Sequence, residues 1–114
     1  MGKISEIKFS VQLDENQLPE TIDWETRDGS SKDSEKSSSK SVLIAIWDKK
    51  ESATLRIDLW TKDMSIDEMK QFYYQSLLSM ADTFKKATGE DKITEDLKDY
   101  CAHFAEKMGL ISQN

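Results

Sequence analysis

A strand that leads directly into a long amphipathic helix, between Leu55 and Gly89, constrains the fold of this chain most strongly. LRIDLW alternates apolar and polar residues with the period of a half-buried strand, and TKDMS separates it from the helical pattern IDEMKQFYYQSLLSMADTFKKATG. Ser65 followed by Glu68 predicts a capping box at the start of the helix, and Gly89 predicts a left-handed residue at its end. This part of the chain therefore predicts a sheet strand followed by a long helix.

One stripe of this helix is apolar at steps of three and four residues, which predicts that the helix packs on a sheet. The stripe consists of Met69, Phe72, Tyr73, Leu77, Met80, Phe84 and Ala87. A second helix is expected to begin near Thr94 and to stop at Gly109. Its apolar stripe consists of Leu97, Tyr100, Cys101, Phe104 and Met108.

Three further strands precede this segment. Apolar residues alternate with polar ones from Ile7 to Leu13 and again at Ile22 and Trp24, whereas VLIAIW (42–47) is continuously apolar and predicts a strand covered on both faces. The DKKES link is too short for a parallel crossover and favours an antiparallel hairpin. Strands first and helices last predict an α+β fold, in which two C-terminal helices pack on one face of a four-stranded antiparallel sheet.

The length of 114 residues predicts a single domain, 1–114. Within it, the segment 28–41 contains serine and charged residues and no apolar residue, so it cannot bury enough surface to offset the entropy of ordering. We expect a flexible loop at 28–41 and a short tail at 111–114.

The charge and the composition exclude several classes of function. A formal net charge of -6 and a pI near 4.8 argue against a nucleic-acid-binding protein, which would have a basic face. No apolar run is long enough for a membrane span, and the N-terminus has no signal-peptide pattern. Cys101 is the single cysteine and has no partner for an internal disulfide. These features predict a cytoplasmic protein without membrane insertion.

The residues that could perform chemistry do not form a site. Cys101 and His103 are two positions apart on the second predicted helix, so their side chains diverge by roughly 200°. Cys101 is expected in the core and His103 at the surface. Four carboxylates, Asp58, Asp63, Asp67 and Glu68, could hold a divalent cation or provide an acid/base pair, but a polar strand face and helix-cap charges explain them more simply. No catalytic, cofactor or metal motif occurs, and we expect no enzyme and no cofactor.

The uncovered face of the predicted sheet is the best candidate for a binding surface. We expect it to show Lys8, Arg56, Asp58 and Trp60, together with one of the two rows of the third strand: either Leu43, Ala45 and Trp47, or Val42, Ile44 and Ile46. Exposed aromatic residues beside Arg are typical of interface centres. The interface hypothesis therefore rests on Lys8, Trp47, Arg56, Asp58 and Trp60, and it predicts self-association or partner binding.

The segment TLRIDLWTKDMSIDEMKQFYYQSLLSMADTFKKATG closely resembles the GldC family of gliding-motility proteins of Bacteroidota. SEIKFSVQLDENQLPETIDW, IWDKK and DYCAHFAEKMGL are similar to the same family, so the resemblance covers most of the chain outside the serine-rich segment and the tail. It implies an accessory factor of gliding motility, whose machinery is linked to type IX secretion, with no enzymatic activity and no catalytic residues.

The predicted order of four strands and two helices also resembles the export chaperone SecB, by architecture alone. Two functions therefore stay open. The first is an adaptor or assembly factor that binds motility or type IX secretion components, and the second is a chaperone that holds unfolded export clients. In both, the partners are proteins and the chain is expected to form a homo-oligomer.

Overall fold

The computed structural model describes residues 2–28 and 35–110. In this part of the chain five strands precede two helices: β1 (Ser5–Leu13), β2 (Pro19–Asp28), β3 (Glu35–Ser39), β4 (Ser41–Asp48), β5 (Ala53–Trp60), α1 (Ile66–Thr88) and α2 (Asp91–Lys107). The chain divides into two compact units, Met1–Met64 with the strands and Ser65–Asn114 with the helices. The α+β class and the order of strands before helices are confirmed, whereas a single domain stays a prediction.

The prediction of one four-stranded sheet is wrong, because the described strands form two antiparallel sheets. One sheet has the order β1-β2-β3 and the other consists of β4 and β5. Lys40 lies alone between β3 and β4, and the chain pairs with β2 before this residue and with β5 after it. The strand expected at 42–47 is therefore β4, which follows β3 after a bend at Lys40 and pairs with a different strand. The packing of helices on a sheet face stays a prediction.

The serine-rich segment also differs from the loop expected at 28–41, because it contains β3. Ser38 Oγ donates a hydrogen bond of 2.9 Å to Asp23 Oδ1, and Ser39 Oγ donates one of 3.1 Å to the carbonyl oxygen of Ile22. An edge strand needs only backbone partners and hydroxyl donors of this kind, so the lack of apolar residues did not prevent pairing. Residues 29–34 of the expected loop, and the expected tail at 111–114, lie outside the described residues.

The three-stranded sheet has one apolar and one polar face. Phe9 lies opposite Trp24 and Val11 opposite Ile22, so these residues share a face, and Ile22 is fully buried. The hydrophobic alternation of β1 and β2 is thus expressed as an amphipathic sheet.

The first helix has the predicted ends. Ser65 accepts a hydrogen bond from the backbone N–H of Glu68, and the Glu68 carboxylate accepts one from the N–H of Ser65, which completes the capping box. Gly89 has a φ of 73° and donates its N–H to the carbonyl of Lys85. A residue with a Cβ is strained in this left-handed conformation, which explains the glycine.

The second helix begins earlier than predicted, at Asp91. The helix was expected to start near Thr94, but Thr94 is its fourth residue and donates its hydroxyl to the carbonyl of Glu90 at 2.7 Å. Lys98 pairs with Asp82 at 2.8 Å and links the two helices. The fully buried residues of the pair are small, which is typical of helices in close contact: Ala81, Thr94, Cys101 and Ala105.

Candidate surface for protein binding

The strand register decides which residues share a face of the β4–β5 hairpin. Ser41 lies opposite Trp60, and this pairing continues without a bulge to Asp48 and Ala53. Residues directly opposite each other point to the same side of a sheet, and every second residue along a strand does so too. One side, which we call the hairpin face, therefore carries Ser41, Leu43, Ala45, Trp47, Thr54, Arg56, Asp58 and Trp60.

Two tryptophans are exposed on the hairpin face. Trp47 is 67% exposed and Trp60 is 55% exposed. Indole rings are seldom left this open on a protein surface, because they bury more apolar area than most side chains when they are covered. Since Trp and Arg are the residue types that most often dominate binding energy at interfaces, this pair suits the centre of a contact.

An ion pair lies on the same face. Arg56 Nη2 is 2.7 Å from Asp58 Oδ1, and both side chains are about two fifths exposed. Exposed pairs of this kind stabilise a fold by at most about 1 kcal/mol, so stability alone does not account for the arrangement. Together with the tryptophans, the pair gives the hairpin face both apolar area and polar groups that can form oriented hydrogen bonds.

An open cleft of about 270 Å³ adjoins Trp60. It is lined by Leu18, Pro19, Asp58, Leu59, Trp60 and Lys62. The backbone N–H of Lys62 donates to the carbonyl of Pro19 at 3.3 Å, which holds the residues after β5 against the start of β2. The cleft is large enough for one or two apolar side chains of a partner.

Lys62 fixes the turn beside this cleft. Its ammonium group donates to Asp14 Oδ2 at 2.7 Å and lies 3.7 Å from Glu20 Oε1. The hydrogen bond from Lys62, and then one from the backbone N–H of Leu18, hold the pKa of Asp14 below its usual range. The same bond raises the pKa of Lys62. Both groups are therefore charged across the neutral range.

Apart from Asp48 next to the turn, the opposite side of the hairpin is aliphatic, and the sequence left open which of the two rows of β4 lies on it. This aliphatic face consists of Val42, Ile44, Ile46, Leu55, Ile57 and Leu59. Val42 is buried, but Ile46, Leu55 and Ile57 are each about half exposed. VLIAIW was expected to be covered on both faces, and this is wrong towards the turn, where Ala45, Ile46 and Trp47 are all exposed. Only the pairing register between β4 and β5 assigns each row of β4 to one face of the hairpin.

Lys8 does not join the hairpin face. It lies on the polar face of the three-stranded sheet, opposite Glu25, with Lys8 Nζ 3.9 Å from Glu25 Oε1. The four other predicted residues, Trp47, Arg56, Asp58 and Trp60, do share one surface. Of the two rows of β4 that the sequence left open, the row on this surface is Leu43, Ala45 and Trp47. Their role in an interface stays a prediction.

The four carboxylates around the strand-to-helix turn have separate surroundings. Asp58 pairs with Arg56, Asp63 accepts a hydrogen bond from the Thr61 hydroxyl, and Glu68 belongs to the capping box, while Asp67 lies in the first turn of α1. No group of three or more His, Cys, Asp or Glu residues in the described part of the chain is placed to hold a metal ion.

Cys101 and His103 occupy different environments, as predicted. Cys101 is buried, and burial raises the pKa of its thiol. His103 is exposed, and its ring lies 6.0 Å from that of Tyr100. The two side chains therefore do not form a catalytic pair.

Across residues 2–28 and 35–110, neither helix combines the length and the apolarity that crossing a membrane requires. The family model described as "Gliding motility-associated protein GldC-like" matches residues 19–110, which is most of the chain. No curated protein and no solved structure matches the chain. The architectural resemblance to SecB therefore has no support from these comparisons.

Proposed function

Because the chain belongs to the GldC-like family of gliding motility-associated proteins, we propose that it acts as a non-enzymatic adaptor that binds protein components of the gliding machinery or of the linked type IX secretion apparatus. Family membership associates the chain with motility. The adaptor role is supported by one observation above all, the two exposed tryptophans on the hairpin face.

The chemistry of the hairpin face favours a protein partner. Trp47 and Trp60 offer flat apolar area, and the Arg56–Asp58 pair between them can exchange its internal hydrogen bond for bonds to a partner. The cleft beside Trp60 is open and mostly apolar, as expected for a site that receives a side chain. A partner segment with an apolar anchor next to a charged or hydrogen-bonding residue would match this surface.

The test combines capture of partners with a motility assay. The tagged chain is expressed in a gliding bacterium that lacks its own copy, and the captured proteins are identified by mass spectrometry. We expect wild type to restore gliding and to capture motility or type IX secretion components. Truncating an aromatic residue at an interface centre typically weakens binding about tenfold or more, so Trp47→Ala/Trp60→Ala should lose both capture and gliding.

Tyr100→Ala is the matched control, because Tyr100 is an exposed aromatic residue on α2. This variant should glide and capture partners like wild type, and circular dichroism should show that all variants keep the fold. Unchanged capture by Trp47→Ala/Trp60→Ala would contradict the proposal. If every variant suppressed the aggregation of unfolded client proteins equally well, the result would instead favour a chaperone that holds unfolded clients.

A further inference from the structure

Among the described strands, one edge of β5 has no hydrogen-bonded partner, although the start of β2 lies close to the last residues of β5. In the described part of the chain β5 is hydrogen-bonded to β4 and to no other strand. Its register with β4 is regular over its full length from Ala53 to Trp60, and the strand contains no proline. Exposed edges are normally protected by bulges, prolines or inward charges, and a regular edge is a template for adding a strand.

The sequence of β5 is complementary to itself in one antiparallel register. If two copies pair about a two-fold axis at Ile57, Arg56 of each copy lies opposite Asp58 of the other. Leu55 of each copy then lies opposite Leu59 of the other, on the aliphatic face, and Ile57 faces its own counterpart. Opposite charges and matched apolar residues are the cross-strand pairs that stabilise antiparallel sheets.

The alternative two-fold registers at the centre of the strand are unfavourable. An axis at Arg56 or at Asp58 places two identical charges directly opposite each other. An axis between two residues places apolar side chains opposite polar ones, because side chains alternate with a period of two. The charge pattern therefore selects the register centred on Ile57.

We infer that β5 pairs with β5 of a second copy of this chain in the register centred on Ile57, which forms a continuous antiparallel sheet of the order β4-β5-β5-β4 in a two-fold symmetric dimer. Arg56 Nη2 and Asp58 Oδ1 are already 2.7 Å apart within one strand. In the dimer, the two pairs form a cluster of four charges in which Arg56 and Asp58 attract each other both along each strand and across the interface. The inference concerns the edge of β5 and stands apart from the proposed binding of motility proteins by the hairpin face.

The edge of β1, which also carries alternating charges, fits less well. A two-fold axis at Ile7 would place Glu6 opposite Lys8, but it would also place Ser5 opposite Phe9 on the apolar face. Lys8 is moreover directed to Glu25 of β2, with 3.9 Å between Nζ and Oε1. Charge and apolar complementarity therefore coincide on β5 and not on β1.

The decisive experiment uses two opposite charge reversals in the full chain, measured by analytical ultracentrifugation over a range of concentrations. Wild type is expected to show a monomer–dimer equilibrium. Arg56→Asp makes both charged positions of β5 acidic and Asp58→Arg makes both basic, so each variant by itself brings like charges together. We expect the dimer dissociation constant of each to rise roughly tenfold to hundredfold, since two cross-strand pairs change from attraction to repulsion.

Mixing the two variants should restore the dimer as a 1:1 heterodimer, because every acidic position of one copy then faces a basic position of the other. This recovery separates pairing between copies from any effect of the internal ion pair, which is lost in both variants. Lys8→Glu is the control on β1 and should dimerise like wild type. The inference is overturned if wild type is monomeric at all concentrations, if the mixture stays monomeric, or if Lys8→Glu dissociates the dimer instead.

Discussion

At the scale of single residues, burial decides the chemistry of Cys101. The thiol lies on the contact side of α2 with Ala105, and both are essentially inaccessible, whereas His103 between them is exposed. Desolvation raises the pKa of Cys101, so the reactive thiolate is rarer than for an exposed cysteine. The apolar stripe of α2 already predicts from the sequence that Cys101 is buried. The same helical geometry directs Cys101 and His103 to different sides of the helix, so His103 cannot act as a base for the thiol.

Cys101 should therefore resist thiol reagents while the protein is folded. We expect reaction with Ellman's reagent to be at least about tenfold slower than in denaturant, because attack requires local opening. Moving the thiol by two residues, with Cys101→Ala/His103→Cys, should give rapid reaction in the folded state. Equal rates for the native wild type and this variant would show that Cys101 is not protected.

At the scale of secondary-structure elements, the ends of α1 could be predicted, but the start of α2 could not. Ser65, Glu68 and Gly89 act through neighbours in the sequence, so their spacing is sufficient to predict their geometry. Thr94 is ambiguous, because a threonine hydroxyl can cap a helix or return to a carbonyl one turn earlier, and here it bonds to Glu90. Serine in β3 is a similar case, since Ser38 and Ser39 bond to a strand rather than to a loop.

The capping box gives the element-scale prediction. Ser65→Ala removes the acceptor for the N–H of Glu68 and should lower the free energy of unfolding by about 1 kcal/mol. Ser65→Asp keeps an acceptor at the cap and should remain close to wild type. Urea denaturation followed by circular dichroism measures both, and an equal loss for the two variants would show that the hydrogen bond at the cap is not the cause.

At the scale of the whole molecule, two ion pairs contribute to the way in which stability depends on pH. Lys62 lowers the pKa of Asp14, and Lys98 lowers that of Asp82. Each lowered pKa contributes stability that is present above the ordinary Asp value of 3.8 and is lost as the pH falls through the folded-state value. The raised pKa values of Lys62 and Lys98 act at the other end, where stability is lost as the pH rises beyond 10.5.

Asp14→Asn should therefore lower the stability at neutral pH and flatten its decline in acid. The amide oxygen can still accept the backbone N–H groups of Asn16 and Leu18, so the change tests the charge rather than the turn. Glu15→Gln, an exposed position in the same turn, is the control and should leave the acid transition unchanged. Chemical denaturation between about pH 2 and 7 provides the measurement, and parallel curves for wild type and Asp14→Asn would contradict the assignment.

The candidate site was only partly accessible to sequence reasoning. Alternation along β5 places Arg56, Asp58 and Trp60 on one side of the strand from sequence alone, since the period is two. VLIAIW does not alternate apolar and polar residues, so the sequence does not show on which face Trp47 lies. Only the pairing of Trp47 with Thr54 places it on the same face as these residues. Lys8 was assigned to the same face because a single sheet was assumed, and the division into two sheets removes the reason for that assignment.

The sequence by itself determined the features that depend on neighbours within a few residues: the α+β order, the antiparallel link between β4 and β5, both ends of α1 and the burial of Cys101. Tertiary structure alone decided that β3 pairs with β2 and β4 with β5 on the two sides of Lys40, and hence that the described strands form two sheets instead of one. The physical reason is that backbone pairing between strands uses groups common to every residue except proline, so side-chain patterns indicate which residues are extended but not which strand each one joins.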